Sequence, residues 1–471
     1  AESYWQAKQA SLALSIEWNE PEKLASFSSD TGKKWFEDAL NSGDFEEAVE
    51  EGDGKDGLEK ASKVYSAEYW APYLAHSTME PMNCAVKIED GHCDIWVGCQ
   101  TPDVARGLAA RICDLSIDEV TLHSTFLGGG FGRRFNSDFV AEATEIAKAS
   151  GLAIQLIWSR EDDTRHDFYR PASLARFEVG VNKDGMIESW TAQRAGPNIM
   201  PYTLDEVVDG KAPGFIPNGL VDWLSKRGYG LFNGLTVDHS SVEGLYEDYD
   251  AVNKDVQHVT VDPGLPVGFW RSVGHSFSGF FKEGMMDEVA HGQKQDSVAY
   301  RLAHTKNNPK LNGVIKLAAE KSQWGKSLPN KHFHGVACHN SFESSVAQVA
   351  EVSVENNEIK IHKITCAVDC GFVVNPDIVK AQMESGIIFA LSAALHGEIT
   401  LKDGKVEQSN FHDYPVLRMA QSPEIEVHIV TSDKDPSGVG EPGVPPVAAA
   451  VANAVFAATG KRLRSLPLSL S

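Results

Sequence analysis

Two segments combine residue types that do chemistry with a backbone able to hold them in place. Leu127-Gly-Gly-Gly-Phe-Gly-Arg-Arg134 follows an alternating, strand-like run, EVTLHSTFL, and precedes helical spacing over 138–149. Three consecutive glycines and Gly132 let a backbone approach a ligand closely and aim N–H groups at an anion, and a following helix N-terminus adds positive potential. The same residues also read as a plain turn, and they form neither a Walker A loop nor a G-x-G-x-x-G fingerprint. The second segment runs from Gly438 to Gly460, where Glu441 stands on a stiff Gly/Pro loop before an Ala-rich stretch opened by Pro446. A carboxylate there serves either to complement the helix dipole, worth a few tenths of a kcal/mol, or to act as a fixed general base.

Other fragments carry less on their own: His76–Pro81, Gln100 at the end of DIWVGCQ, Trp270-Arg-Ser-Val-Gly-His275, and Asn340–Ser345. Each taken alone reads as packing or capping. The sequence has no serine elbow, H-E-x-x-H or EF-hand loop. Cys366 and Cys370 lie in an alternating run, ITCAVDC, where strand packing is favoured over a metal pair, and seven cysteines without a C-x-x-C do not make a disulfide framework.

The elements that must position these residues alternate between hairpins and helices. Asp90-Gly91, Asp184-Gly185 and Asp403-Gly404 mark three hairpin turns and Asn356-Asn357 a fourth. Helical spacing is found over 4–15, 103–113, 138–149, 295–306, 377–394 and 445–459, while SIEWNE after residue 14 reads as a short strand. Without a strict βαβ rhythm the fold class is α+β, in several domains with mixed sheets, hairpins and packed helices, and elongated. A boundary is expected in the Gly/Pro/Asn-rich stretch near 210–262. Residues 41–60 collect eight acids among glycines and read as a solvated acidic surface loop.

At 471 residues, two to four domains are expected. A net charge of −23 argues against nucleic acid or anionic lipid as the main partner and leaves a neutral or cationic small substrate, or a basic protein partner, as the easier one. No run of 18 apolar residues is present, so no transmembrane helix is expected, and AESYWQAKQA lacks the features of a signal peptide. The chain opens inside a helical pattern and without Met. A processed or split product, with an upstream segment elsewhere, is the expectation.

In combination, HSTMEPMNC at 76–84, Gln100, GGGFGRR at 128–134, WRSVGHS at 270–276, VDCGFVVNPDIVKAQMESG at 368–386 and GVGEPGVPPVAAA at 438–450 resemble the molybdenum hydroxylases. The likeness runs from residue 1 to Pro467. It points to the large, molybdopterin-binding subunit of the isoquinoline 1-oxidoreductase and bacterial aldehyde dehydrogenase type, related more distantly to xanthine dehydrogenase. The resemblance divides the chain into a remnant of a first domain with the acidic loop (1–65), a molybdopterin-binding domain with the glycine loop (66–250), and a second such domain with the catalytic glutamate (251–471). It implies that Glu441 is the catalytic base. Gln100, Gly129, Gly130, Phe131, Gly132, Arg133, Arg271, Phe342, Ser345, Gln382 and Gly440 are implied to bind cofactor, with no protein side chain ligating the metal. Phe135 occupies the position of a purine-binding glutamate in purine-oxidising relatives, which disfavours a purine and suits an aldehyde or aromatic N-heterocycle in an apolar pocket. Ser385 and Ala390 replace glycines common in the family.

The resemblance further implies a molybdopterin cytosine dinucleotide cofactor and hydroxylation with water as oxygen source. Electrons would pass to iron–sulfur clusters on a small [2Fe-2S] subunit, and a c-type cytochrome subunit and a separate polypeptide supplying the upstream segment are further expected partners. A periplasmic location is implied over a cytoplasmic one. The competing function is a cofactor-less binding or assembly subunit of the same fold; Gln100, Phe131, Gly132 and Glu441 together speak against it. A flavin or nicotinamide dehydrogenase lacks its fingerprint here.

Overall fold

The computed structural model describes the chain except residues 18, 20–21, 212–236 and 471. Three main sheets, each with helices packed on it, and a small hairpin account for the strands among the described residues. Fifteen strands are numbered in chain order. The five-stranded sheet runs β1 (Glu46–Glu51), β9 (Asn253–Thr260), β8 (Ile187–Gly196), β7 (Ser173–Val181) and β2 (Lys63–Ala71), antiparallel throughout except for the parallel β8/β9 pair. A four-stranded sheet holds β5 (Val120–Ser124), β4 (His92–Val97), β3 (Asn83–Glu89) and β6 (Ile154–Ile157), backed by helices Pro102–Cys113 and Asp138–Ser150. The other four-stranded sheet holds β10 (Phe333–Ser341), β11 (Ser344–Glu355), β12 (Glu358–Asp369) and β15 (Glu424–Ile429). Strands β13 (Leu401–Lys402) and β14 (Lys405–Val406) form the hairpin.

These elements follow from local sequence. Asp90, Asn356, Asn357 and Asp403 take positive φ at their turns, as does Gly185 after Asp184, so all four dipeptides close hairpins. Strand β11, SSVAQVAEVSVE, is buried almost throughout because helices Pro446–Thr459 and Pro309–Lys321 both pack on it. The alanines of helix Pro446–Thr459 permit a very close approach to β10: a Cβ on Gly335 would stand 2.1 Å from the Ala454 nitrogen. Cys366, in β12, and Cys370 beyond it are buried thiols in the largest core cluster.

Several expectations need correction. Residues 41–60 are not a free acidic loop. They end the helix Ser29–Ser42, form edge strand β1, and continue into helix Gly54–Lys60, whose Gly54 and Gly57 seat it on the sheet while its charged residues face outward. The described part of SIEWNE forms no strand. The helix expected over 295–306 is shorter, Ser297–Ala303, because Asp296 caps it by accepting the Val298 and Ala299 N–H groups. Strand hydrogen bonding also crosses both of the domain boundaries drawn from sequence, since β1 precedes residue 65 and β9 follows residue 251, and both lie in the sheet of β2, β7 and β8. Finally, helix Pro376–Leu395 is long and apolar enough, by length and composition, to cross a membrane. In this fold it packs against helix Pro446–Thr459 and β15 and buries Val379, Met383, Ile387 and Leu391.

Candidate active site

The glycine loop is shaped by backbone conformations and contacts that exclude side chains. Gly129 and Gly132 take φ of 101° and 107°, and Phe131 between them takes 54°. At Gly132 a Cβ would lie 1.3 Å from the Phe269 carbonyl oxygen, so no other residue fits. The Gly132 N–H donates to Gln100 Oε1 at 3.2 Å, and the Gln100 N–H donates to the Arg134 carbonyl at 2.8 Å. With its oxygen committed, what Gln100 can offer a cavity occupant is its amide NH2.

The two arginines of the loop point inward. Arg134 is fully buried, donating to the carbonyls of Gly129, Gly98 and Glu80 and to the Glu80 carboxylate at 2.8 Å. Arg133, expected to bind cofactor, is equally buried, and its guanidinium grips Asp138 through two bonds of 2.9 and 2.7 Å with Asp167 3.2 Å from Nε. Its charge is consumed by carboxylates, so it props the loop. Asp167 also accepts from the His76 N–H and lies 2.9 Å from His76 Nδ1, and His76 Nε2 stands 2.9 Å from the Phe269 carbonyl. His76 and Asp167 therefore fix the carbonyl against which Gly132 packs. The HSTMEP fragment held the first; no sequence signal marked the second.

The WRSVGH block supplies the opposite wall. Arg271 donates from Nε to the Gly440 carbonyl (2.7 Å), from Nη1 to Ser385 Oγ (2.9 Å), and from Nη2 to the carbonyl and side-chain oxygens of Gln382 (3.4 and 3.3 Å). One guanidinium thus ties the Glu441 loop to helix Pro376–Leu395. The Ser272 N–H donates to Glu441 Oε1 at 2.9 Å, and Ser272 Oγ donates to the Glu441 carbonyl at 2.8 Å. Ser272 and Val273 both hold positive φ to make this turn. Burial pushes the Glu441 carboxyl above its ordinary pKa, against the opposing pull of the Ser272 N–H and Arg271. Rings stack behind the loop, with Phe131 on Phe389 at 4.5 Å and Phe389 on Trp270 at 4.6 Å.

Together these residues line a cavity of about 560 Å3: Gln100, Phe131, Gly132, Phe135, Phe269, Arg271, Val273, Gln382, Ser385, Gly440 and Glu441. Eight of the residues singled out from sequence meet there. Gly129 and Gly130 shape the loop without lining it. Phe342 and Ser345 do not line it either: the Phe342 carbonyl accepts from the Gly438 N–H (3.1 Å), and Ser345 Oγ donates to Asn340 at 2.5 Å, so this turn steadies the strap leading to Glu441. Phe269 and Val273 were missed although they flank or belong to the WRSVGH block, and Ser385 was noted only for replacing a glycine. Beyond Phe131 and Ser385 lies an adjoining cavity of about 350 Å3, walled largely by Trp270, Ile388, Phe389, Pro415 and Leu417.

The donors offered are amides, a guanidinium, a hydroxyl and backbone N–H groups around one carboxylate. Among the described residues no three His, Cys, Asp or Glu side chains gather to hold a metal ion. That set suits an anionic organic group with a base beside it better than a bare cation. A cradle closed to any Cβ at Gly132 and open at Gly440, where a Cβ would meet nothing within 4 Å, fits a bulky group seated between the two loops.

Molybdopterin cofactor-binding domain families match residues 37–195 and 282–423. The isoquinoline 1-oxidoreductase subunit beta of Brevundimonas diminuta is 33% identical over 414 residues, covering 86% of this chain and 50% of that protein. The membrane-bound aldehyde dehydrogenase [pyrroloquinoline-quinone] of Gluconacetobacter polyoxogenes is 30% identical, with 99% and 61% covered. The chain therefore spans about half to three fifths of the length of these relatives. Among solved structures, quinoline 2-oxidoreductase from Pseudomonas putida 86 superposes with a TM-score of 0.79 at 12% identity, covering 99% of this chain and 83% of that one. Aldehyde oxidoreductase from Desulfovibrio gigas gives 0.72 at 14%, covering 90% and 62%. At such identities the two structures speak for the shared multi-domain α+β fold.

Proposed function

The chain belongs to the molybdenum hydroxylase large subunits that bind the molybdenum cofactor, and from that premise we propose that it hydroxylates an aldehyde or an aromatic N-heterocycle with Glu441 as general base and water as the oxygen source. The observation that carries the reading is Glu441 itself: a carboxylate buried in a cavity, oriented by the Ser272 N–H, with a raised pKa. When bound, the cofactor supplies a two-electron acceptor and activates the water oxygen. Gln100, Gly132, Arg271, Gln382 and Gly440 would hold it. The Glu441 carboxylate takes a proton at Oε1 or Oε2 as the oxygen attacks carbon. Phe135, edge-on to Phe269 at 5.0 Å, presents apolar surface to a flat substrate and offers no hydrogen bond to a purine.

We assign the cofactor the cytosine dinucleotide form and the electron exit to a small [2Fe-2S] subunit, with a c-type cytochrome as a further partner in the periplasm. The resemblance of the nucleotide-side segment around Gln382 supports the first. Acid hydrolysis of the native complex is expected to release cytidine monophosphate in step with molybdenum. Glu441→Gln is expected to lower kcat by at least about 100-fold while molybdenum content stays at the wild-type level. Retained turnover in that variant, or a native complex without molybdenum, would overturn the reading in favour of a non-catalytic subunit of the same fold.

A further inference from the structure

Helix Pro376–Leu395 carries apolar residues on two faces, and only one of them is packed. Val379, Met383, Ile387 and Leu391 are buried in the core. On another face Ser385, Ile388, Phe389, Ser392 and Ala393, spaced three and four apart, line the cavity of about 350 Å3 beyond Phe131. A helix that is apolar all round ordinarily buries all of its surface against protein. Here the second face is turned to a chamber instead. The remaining wall includes Trp270, stacked on Phe389, together with Pro415, Val416 and Leu417. Met79 also lines the chamber and is 63% exposed, so the space reaches the surface there.

The polar groups of this lining define what it accepts. The Tyr414 hydroxyl accepts from the Ala75 N–H and donates to the Ala75 carbonyl, both at 3.1 Å. Ser392 Oγ donates to the Ile388 carbonyl at 3.1 Å and accepts from the Leu417 N–H at 3.0 Å. His76 is taken up by Asp167 and the Phe269 carbonyl. Ser77 differs from these: it is 7% exposed, and its hydroxyl has no hydrogen-bond partner among the described residues. A buried hydroxyl left unpaired is unfavourable, and a bound acceptor removes that cost. No Asp, Glu, Lys or Arg among the described residues lines the chamber, so an ion entering it would lose hydration without meeting a counter-charge.

We propose that this chamber is a second small-molecule site, separate from the reacting position at Glu441, for a neutral, flat, largely apolar molecule that accepts one hydrogen bond from Ser77. An apolar cavity of roughly 150 Å3 suffices for benzene, so the volume here suits two fused rings. A carboxylate, the product of aldehyde oxidation, is kept out by its charge, whereas a neutral carbonyl or ring-nitrogen compound is admitted. Phe131 and Ser385 line both cavities, so the two sites share a wall. The assignment does not depend on the role of Glu441.

The probe is 1-acetonaphthone, a neutral two-ring ketone with no aldehyde hydrogen to lose; naphthalene lacks its acceptor, and 1-naphthoate carries a charge. Equilibrium dialysis against the full chain is expected to show saturable binding of the ketone. Binding should weaken roughly five-fold in Ser77→Ala, with naphthalene unaffected, and 1-naphthoate should bind at least about ten-fold less tightly than the ketone. Ala393→Phe, which fills the chamber, should abolish ketone binding, and Ile388→Trp provides the same test from another position. Phe135→Trp, in the Glu441 cavity, should leave it intact. In the native complex the ketone should lower kcat without raising KM, an effect lost in Ala393→Phe. Binding that survives both filling variants, equal affinity of Ser77→Ala and wild type, or inhibition competitive with substrate would each overturn the site. Ketone binding that is present in the full chain and absent from the native complex would mean that a partner subunit fills the chamber, which also overturns it.

Discussion

Glu441 owes its raised pKa to burial, and the sign of that shift dictates a pH profile. The carboxylate is the active form, so kcat/KM is expected to rise with pH through a midpoint above the ordinary carboxylate value of about 4.3. Arg271→Gln, which removes the positive charge opposing the effect of burial on Glu441, should move that limb further upward, measured with a substrate that does not itself titrate. Asp163 gives a second titration, read in stability. Burial and the neighbouring Asp167 push it up to about 6 despite its ion pair with Arg160. Its folded-state pKa exceeds the unfolded value of about 3.9, so its contribution is full below that value and is lost as pH rises through 6. Asp163→Asn should flatten this part of the Tm profile between about pH 4 and about pH 6.5. Glu441 was legible in the sequence because Gly and Pro on both sides announce a fixed backbone, and Gln100 and Arg271 became legible only in combination. Arg133 misled because its charge suggested an anion ligand, whereas Asp138 and Asp167 consume it. Asp138 is close in sequence, but Asp167 reaches it only through the fold.

The glycine loop shows how an element is held from behind. His76, Asp167, Arg133 and Asp138 form a buried charged cluster that anchors the loop and the Phe269 carbonyl. Removing one partner leaves an unpaired buried charge, so Asp167→Asn is expected to cost about 3–5 kcal/mol in denaturant unfolding and to lower molybdenum content. Gly132→Ala should fail to retain cofactor at all, because the Phe269 carbonyl occupies the space of its Cβ. The hairpins were legible at this scale, since positive-φ turn residues are local signals. The edge strand β1 was not: five of its six residues are acidic or alanine, and what makes it a strand is the backbone pairing it receives from β9, some 200 residues later.

At the scale of the whole molecule, the α+β class followed from the interleaving of hairpins and helices, but the order of strands did not, because β9 enters beside β8 in parallel across more than fifty residues of intervening chain. That entry has a consequence for how the polypeptide can be divided. A scission anywhere between Lys211 and Val237 would leave each piece one whole four-stranded sheet but divide the five-stranded one between them: the first would expose the open edge of β8, and the second would carry β1's partner without its neighbours. The pieces are expected to behave as complementing fragments. Residues 237–471 expressed alone should aggregate, whereas co-expression with residues 1–211 should return a soluble heterodimer with the circular dichroism of the intact chain. Two genes, each encoding one piece, would then be obliged to be translated together.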